Sequence, residues 1–139
     1  MSPSSDAPTP SAIAEALNLT TGQSVQEIGY DDDVDHALRD AIEDLIGDEM
    51  EDEDTQEIVD AVVLWWRDDD GDLTDALVDT LRTIEAGAPG WLLTPQAGRP
   101  GHVAPGEVQE SAAIAGLRVR SSLSLAADWT GTRLASRTN

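Results

Sequence analysis

The stretch Ile58-Val-Asp-Ala-Val-Val-Leu-Trp-Trp66 decides the fold, because it is the most apolar run in the chain. It is too short and too rich in β-branched residues for a surface helix. It therefore predicts a strand that is covered on both faces, at the centre of a sheet. Since side chains alternate along a strand, Trp65 and Trp66 are expected on opposite faces, one in the core and one under a helix.

Strand and helix patterns alternate before this central strand. Residues 24–29 predict a short strand, and apolar residues at helical spacing over 34–46 predict a helix that ends at Gly47. Asp31, Asp32 and Asp33 offer caps for the start of that helix. The acidic run 48–54 has no apolar period and is expected to form an exposed loop.

The alternation continues after the central strand. Residues 73–84 predict an amphipathic helix and residues 90–94 a buried strand. The segment from Pro105 to Gly116 predicts a third helix, whose apolar stripe is Val108, Ala112 and Ile114. Two strand-like runs follow, 117–125 and 130–136. The link between them is so short that it allows an antiparallel hairpin and forbids a parallel crossover.

This order predicts a single α/β domain over residues 15–139, preceded by a disordered tail of residues 1–14. Alternating strands and helices imply a small, mostly parallel, Rossmann-like three-layer sandwich with right-handed crossovers. The final hairpin adds an antiparallel strand. A strand pair after the last helix resembles class I methyltransferase-like folds, so we expect a reduced form of that topology, which does not by itself carry an activity.

The charge is large and unevenly placed. The 139 residues include 28 acidic and 8 basic ones, for a formal charge of −20. The segment 31–79 holds 21 of the acidic residues against Arg39 and Arg67, for a net of −19. Such a polyanion is a poor direct binder of nucleic acid or of anionic membranes. The absence of cysteine fits a reducing cytoplasm.

Three interpretations of the acidic segment stay open: a solvated face that maintains solubility, a docking face for a basic protein surface, and mimicry of nucleic acid. The candidate docking face consists of eight carboxylates in two clusters: Asp31, Asp32, Asp33 and Asp35, and Asp68, Asp69, Asp70 and Asp72.

The turn after the first strand argues against nucleotide binding. Of the glycines expected there only Gly29 is present, and Tyr30 with the three following aspartates adds bulk and negative charge where a phosphate would lie. S-adenosylmethionine carries no phosphate. However, the acidic residue that should end a second strand and hold a ribose has no clear position in the sequence.

The run 68–72 resembles part of a calcium loop with Gly71 in the sixth place. The first and twelfth places would then be Trp66 and Leu77, where carboxylates are needed. A capped turn from strand to helix explains the run better, and we expect no metal or cofactor.

Another candidate site lies in the Gly- and Pro-rich loop 94–105, where Arg99 and His102 could meet an anion at the ligand-binding edge of such a sheet. Trp129 and Arg133, in and after the closing turn, belong to the same candidate site. A structured crossover loop is the simpler interpretation. His36 is expected to be solvated on an acidic helix, and no residue is placed in a triad with either histidine.

Three segments together resemble an actinobacterial family, domain of unknown function 3052. They are Trp-Leu-Leu-Thr-Pro-Gln-Ala-Gly-Arg-Pro-Gly-His (91–102), Ala-Gly-Leu (115–117) and, most specifically, Asp-Trp-Thr-Gly-Thr-Arg-Leu (128–134). The resemblance covers the chain from about residue 17 onward. It implies a small cytoplasmic bacterial protein and supplies no catalytic residues.

The sequence thus favours a non-catalytic interaction or regulatory module with a strongly acidic face. A small-molecule or residual methyltransferase-like site at Arg99 to His102, and a DNA-mimic protein, remain alternatives. The oligomeric state is left open.

Overall fold

A computed structural model describes residues 17, 19–52, 54, 59–80, 90–124 and 128–136. Within these residues the elements follow in the predicted alternating order, and the hairpin comes last. They are β1 (Val25–Ile28), α1 (His36–Ile46), β2 (Ala61–Trp65), α2 (Leu73–Thr80), β3 (Gly90–Pro95), α3 (Pro105–Ile114), β4 (Leu117–Ser124) and β5 (Trp129–Ser136). The predicted tail 1–14 and the second part of the predicted helix 73–84 lie outside the described residues.

The strands form one sheet in the order β1-β2-β3-β5-β4. β1 pairs with β2 and β2 with β3 in parallel, whereas β5 runs antiparallel to both β3 and β4. Two of the four pairings are therefore antiparallel, and the sheet is mixed rather than mostly parallel. The last strand lies between β3 and β4 because the short link after β4 forces an antiparallel return next to it.

Helices cover both faces of the sheet, so the architecture has the three predicted layers. Trp65 faces the cluster that contains Leu38, Ile42 and Ile46 of α1. Trp66 packs on the opposite cluster, which contains Leu73 and Leu77 of α2 and Val108 and Ala112 of α3. The two adjacent tryptophans thus point to opposite faces, as their strand position predicts.

Helix α1 begins later than the sequence suggested. Its N-cap is Asp35, whose carboxylate accepts a hydrogen bond of 2.8 Å from the Leu38 amide, so the expectation that Asp31, Asp32 or Asp33 caps it is wrong. The end is as predicted: Gly47 adopts φ 81° and donates to the Glu43 carbonyl.

The acidic segment after α1 is not only an exposed loop. Glu51 lies beside the outer edge of β1 and forms one parallel bridge with Gln26. The Glu51 amide donates to the Val25 carbonyl at 2.7 Å, and its carbonyl accepts from the Glu27 amide at 2.8 Å. The chain therefore returns to the outside of β1 before it crosses to β2 on the other side.

The apolar stripe predicted for α3 is wrong at one position. Ile114 is expected there with Val108 and Ala112, but it is 68% exposed, while the other two are buried. Ala115 and Leu117, which follow α3, are buried in the core cluster on this face instead.

Candidate functional site

The loops that follow β1, β2 and β3 share one edge of the sheet, because the carboxyl ends of parallel strands lie together. The connection after β1 leads to α1 on one face, and the connection after β2 leads to α2 on the other face. In open α/β sheets, such a divergence opens a crevice at the carboxyl ends of the two strands, where ligands bind. The crevice between β1 and β2 is therefore the first candidate site.

The side chain of Arg67 fills this crevice. Its Nη1 donates to the carbonyl of Gly29 at 2.8 Å and to that of Trp65 at 3.3 Å. Its Nε donates to Asp33 at 3.0 Å, and its Nη2 pairs with the other oxygen of the same carboxylate. A two-pronged contact of this kind is the geometry in which arginine binds a carboxylate most firmly. The crevice is thus closed by an ion pair between the loops after β1 and β2.

Two further groups hold Arg67 in place. The carboxylate of Asp70 accepts from the Arg67 backbone amide at 2.9 Å and lies 3.4 Å from its guanidinium. The Arg67 guanidinium carbon is 5.3 Å from the ring centroid of Trp129, within the range of a cation–π contact. The side chain of Arg67 is only 10% exposed as a result.

The ion pair shifts the titration of both partners. Hydrogen bonds from Arg67 lower the pKa of Asp33 below its ordinary value, and partial burial of the carboxyl opposes this effect only in part. Burial acts to lower the pKa of Arg67, but the carboxylates of Asp33 and Asp70 outweigh it, so the pKa is raised overall. Both groups are therefore charged at neutral pH.

A second ion pair, which is partly buried, involves Glu27 on β1, two residues before Gly29. Glu27, in β1, accepts hydrogen bonds from Arg39 Nε at 2.6 Å and Nη2 at 2.8 Å, and from Trp65 Nε1 at 2.9 Å. The hydrogen bond to Glu27 raises the pKa of Arg39. Tyr30 covers the Arg39 guanidinium at 4.8 Å. These contacts join α1, β1 and β2 in one network.

Sequence reasoning did not single out Glu27, Arg39 or Arg67. The available signal was the acidic window itself, because it holds only two basic residues among 21 acidic ones. A lone cation in such a window is surrounded by potential partners, and both arginines are in fact held in ion pairs. Asp70 is only three positions from Arg67, but Glu27 and Asp33 were not identifiable as partners, since they lie 12 and 34 positions from their arginines in the chain.

The two predicted acidic clusters lie at this edge of the sheet. Their eight carboxylates fall into two groups. Four carboxylates make structural contacts. They are Asp33 and Asp70 on Arg67, Asp35 at the start of α1, and Asp72, which accepts from the Asp75 amide at the start of α2. The other four carboxylates are exposed and contact no arginine and no helix start among the described residues: Asp31, Asp32, Asp68 and Asp69, which we call the acidic rim. Within the rim, the Asp31 carboxylate accepts only from the adjacent Asp32 amide, at 2.8 Å.

The structure does not bring the four residues of the other candidate site together. Arg99 pairs with Asp128 at 3.2 Å, with both side chains about half exposed, and together with Asp33 and Trp129 they line a cavity of about 190 Å³. An exposed pair of this kind contributes little stability. Arg99 and Trp129 therefore belong with the closed crevice.

Trp129 is not on a loop, as the sequence suggested, but is the first residue of β5 and is buried. Its ring meets Trp65 edge-on, with centroids 4.8 Å apart, and its Nε1 donates to the Asp33 carbonyl at 3.2 Å. The ring is therefore a core contact that also supports the Arg67 ion pair.

His102 and Arg133 lie apart from that group. His102 lines a separate cavity of about 230 Å³. Arg133 is opposite Trp91 in the β3–β5 pairing, and its Nε is buried with no hydrogen-bond partner among the described residues. His36 is exposed on α1, as expected.

Comparison with known protein families shows which family the chain belongs to. The model of the family described as protein of unknown function, DUF3052, matches residues 14–138. The chain belongs to this family. Its relatives include uncharacterized proteins of Mycobacterium tuberculosis and Mycobacterium bovis. Both are 45% identical over 124 residues, covering 89% of this chain and 78% of each relative.

The fold of this DUF3052 member is similar to that of methyltransferases. The mitomycin 7-O-methyltransferase MmcR aligns with a TM-score of 0.63 over 92% of this chain and 53% of its own. A SAM-dependent methyltransferase from Aquifex aeolicus aligns with a TM-score of 0.61 over 90% of this chain and 88% of its own. The pyocyanin biosynthetic protein PhzM aligns with a TM-score of 0.65 over 92% of this chain and 54% of its own. Each is 14% identical to this chain, so the likeness concerns the fold alone.

The crevice of this DUF3052 member does not fit S-adenosylmethionine. A Cβ on Gly29 would lie 2.2 Å from the Trp65 carbonyl oxygen. The space beside Gly29 that a missing side chain leaves is therefore filled by the backbone of β2 and not left for a ligand. Arg67 occupies the adjoining space between the two loops. A bound cofactor would have to displace this ion pair, and no catalytic step through a methyl donor follows from these residues.

The calcium interpretation of the run 68–72 also has no support in the geometry. Asp70 is bonded to Arg67 and Asp72 begins α2, so two of the oxygens that a metal would need are already used. Among the described residues there is no group of three His, Cys, Asp or Glu side chains that could hold a metal ion. The described helices also include none that is long and apolar enough to cross a membrane.

Proposed function

We propose that this protein is a non-catalytic interaction module, in which the acidic rim of a methyltransferase-like sheet docks a basic surface of a partner protein. One observation carries the proposal: Arg67 closes the ligand crevice with an ion pair to Asp33 and a bond to the Gly29 carbonyl. An edge of the sheet that is closed to a cofactor still presents its loops to a macromolecule.

The same ion pair supports the acidic rim. Asp33 and Asp70 hold Arg67 from both sides, and so they join the loop after β1 to the loop after β2. The exposed carboxylates of the rim flank these contacts directly in sequence. Their loops are therefore held together before any partner arrives, which lowers the conformational entropy lost on binding.

The chemistry of the partner follows from the charge. The rim carries four carboxylates, and the described arginines nearest to it in the chain, Arg39 and Arg67, are both neutralised in ion pairs. A surface of this sign attracts Lys- or Arg-rich segments, accelerates encounter and weakens as salt rises. A cytoplasmic basic protein is the partner that we propose.

The proposal is tested with an arginine-rich peptide as the probe, by fluorescence anisotropy at low and at high salt. A variant that neutralises the rim carries Asp31→Asn, Asp32→Asn, Asp68→Asn and Asp69→Asn. A matched control carries the same change of charge on exposed residues of α2 and α3: Asp75→Asn, Asp79→Asn, Glu107→Gln and Glu110→Gln. Four lost contacts of about 0.5 kcal/mol each predict about 30-fold weaker binding for the rim variant.

Because any polyanion attracts a basic peptide, the comparison between the two variants is decisive. Equal loss of affinity in both would reject a defined docking face and leave a solvated surface as the role of the carboxylates. Stoichiometric binding of S-adenosylmethionine in a calorimetric titration would reject the closed crevice. Displacement of a nucleic-acid-binding protein from this chain by duplex DNA would favour mimicry of nucleic acid instead.

A further inference from the structure

The two outer strands of the sheet, β1 and β4, present different edges. The outer side of β1 is partly covered, because Glu51 forms a parallel bridge there with Gln26. β4 pairs only with β5 among the described strands, and most of its residues are exposed. The free amide and carbonyl groups along such an edge form a template for a further strand. β4 is therefore the open edge of the described sheet.

The arginines at this edge have no counter-charge. Three of the six described arginines form ion pairs: Arg39, Arg67 and Arg99. The other three have no ion-pair partner among the described residues and lie on the last two strands: Arg118 and Arg120 on β4, and Arg133 on β5. The strands β3, β4 and β5 contain no Asp or Glu. We call these three arginines, together with the free side of β4, the arginine edge.

The strand register places two of these arginines on one face. Arg118 is opposite Ala135, and Ser121 is opposite Arg133. Paired residues share a face, and side chains alternate along a strand, so Arg118 and Arg133 are diagonal neighbours on the same side of the hairpin. Two like charges at this spacing repel each other, and an anion between them would remove the repulsion.

Arg133 shows the unmet charge most clearly. Its Nε is buried and has no hydrogen-bond partner among the described residues. A buried charged donor without a partner is unfavourable, whereas the guanidinium groups of Arg39 and Arg67 are each bound by a carboxylate. Arg133 as a whole is only partly buried, so it is accessible from the surface. A carboxylate from outside the chain would supply the contact that the other two arginines have.

A β-bulge interrupts β4 within the arginine edge. The pairing with β5 shifts between Val119 and Ser121, so Arg120 has no opposite residue. Charged side chains and bulges are features by which edge strands avoid aggregation with apolar strands. The three charges have the same sign, so they also repel a basic strand. An acidic strand is the kind that they attract, and the open edge is therefore selective for charge.

We propose that the arginine edge is a docking site for an extended acidic segment of a partner protein, which adds to β4 as a further strand. Backbone hydrogen bonds to the free side of β4 would supply affinity, and carboxylates on one face of the segment would pair with Arg118 and Arg133. Leu123, which is partly buried on the same face, would contact an apolar residue of the segment. No residue of the acidic rim takes part, so this surface is independent of the first.

The probe is an eight-residue peptide, as long as β4, in which glutamate and threonine alternate. A neutral comparator has glutamine in place of glutamate. A second comparator keeps the charge but has proline in place of two threonines, which removes backbone N–H groups that a strand needs. Binding to the full-length protein is followed by fluorescence anisotropy at about 0.15 M salt, where charges are screened over roughly 8 Å.

We expect saturable binding of the acidic peptide and much weaker binding of both comparators. The formal charge of −20 makes this a stringent test, because the protein as a whole repels an acidic peptide. Equal binding of the neutral peptide would overturn the charge selectivity, and equal binding of the proline peptide would overturn strand addition. If the acidic peptide did not bind, the proposal would fail, and protection of the edge from aggregation would be the role of the arginines.

Variants locate the contact. Arg118→Gln and Arg133→Gln should each weaken binding of the acidic peptide about two- to fivefold, and the double variant about tenfold, since each removes an ion pair. Arg99→Gln is the matched control, because it removes the same charge from an exposed pair outside the hairpin, and it should bind like the unaltered protein. Equal losses in the control and the hairpin variants would reject a defined site. Arg118→Gln changes an exposed residue, so it decides the outcome even if Arg133→Gln does not fold.

Hydrogen exchange shows where the peptide binds. Strand addition should slow the exchange of amides along β4 and leave those of the acidic rim unchanged. Slower exchange in the rim loops without any change in β4 would contradict the proposal. Sedimentation velocity without the peptide tests a second copy as the occupant. A dimer of the unaltered protein that Arg118→Gln abolishes would show that the edge serves self-association, and the proposal of a separate acidic partner would be rejected.

Discussion

Replacing Gly29 with alanine tests how closely β1 and β2 approach at the edge where the crevice is closed. Gly29 adopts φ +84°, a conformation that L-residues avoid. A Cβ at this position would lie 2.2 Å from the Trp65 carbonyl oxygen and 3.2 Å from its carbon. The substitution therefore combines backbone strain with a direct clash against the neighbouring strand.

The two contributions are separable, because Gly116 offers a matched control. Gly116 has nearly the same φ, +86°, but the Cβ that alanine would add there meets no atom within 4 Å beyond its chain neighbours. Backbone strain in this region costs about 1–2 kcal/mol at either site. The clash at Gly29 forces the strands apart, and overpacking of this kind adds about 1–3 kcal/mol. We expect Gly29→Ala to lose about 2–5 kcal/mol of unfolding free energy and Gly116→Ala only about 1–2 kcal/mol.

Urea unfolding followed by tryptophan fluorescence measures both losses, since Trp65, Trp91 and Trp129 are buried. With an m-value of about 2 kcal/mol per molar urea, the difference between the variants corresponds to about 1 M in the unfolding midpoint. Equal midpoints for Gly29→Ala and Gly116→Ala would refute the close approach of the Trp65 carbonyl. The claim that the protein's own backbone fills this part of the crevice would then fail.

Three further variants test the ion pairs and the cap. Because Arg67 lowers the pKa of Asp33, their pairing stabilises the fold above the unfolded-state pKa of about 3.9 and is lost as pH falls through the lower folded value. Between roughly pH 5 and pH 2, the unfolding free energy of the unaltered protein should therefore fall more than that of Asp33→Asn. If the unfolding free energies of the two proteins changed in parallel with pH, the pairing would be contradicted. Glu27→Gln removes the charged acceptor of Arg39 and Trp65 and should lower the unfolding free energy in urea at neutral pH by about 2 kcal/mol. A loss near zero would show that this network does not stabilise the fold. Asp35→Ala removes the helix cap and should lower the unfolding free energy by about 1 kcal/mol in the same measurement. The rim substitution Asp32→Ala is the control and should lower it by less than about 0.5 kcal/mol. Similar losses in both variants would argue against the cap.

The elements of the fold were largely predictable because their signals are local. The apolar run before Arg67, the helical spacing over 34–46 and the short link between the last two strands each specify a conformation over a few residues. Cap positions were harder to predict, because four aspartates stand close together before α1 and only Asp35 has the geometry to accept from the Leu38 amide.

The candidate site was predictable only as a location. Two acidic clusters that follow adjacent parallel strands must meet at one edge of the sheet, and they do. Which carboxylates pair with Arg67, and which remain in the acidic rim, depends on the positions of two loops in space.

By itself, the sequence determined the order of strands and helices, the position of the hairpin and the concentration of negative charge, because periodicity and charge are properties of neighbouring residues. Only the tertiary structure decided that the ligand crevice is closed by an ion pair between Asp33 and Arg67. Asp33 and Arg67 are 34 positions apart, and Glu27 and Arg39 are 12 positions apart. Contacts of this kind form only when the sheet assembles, since side-chain pairing follows from the packing of distant segments and not from local conformational preference.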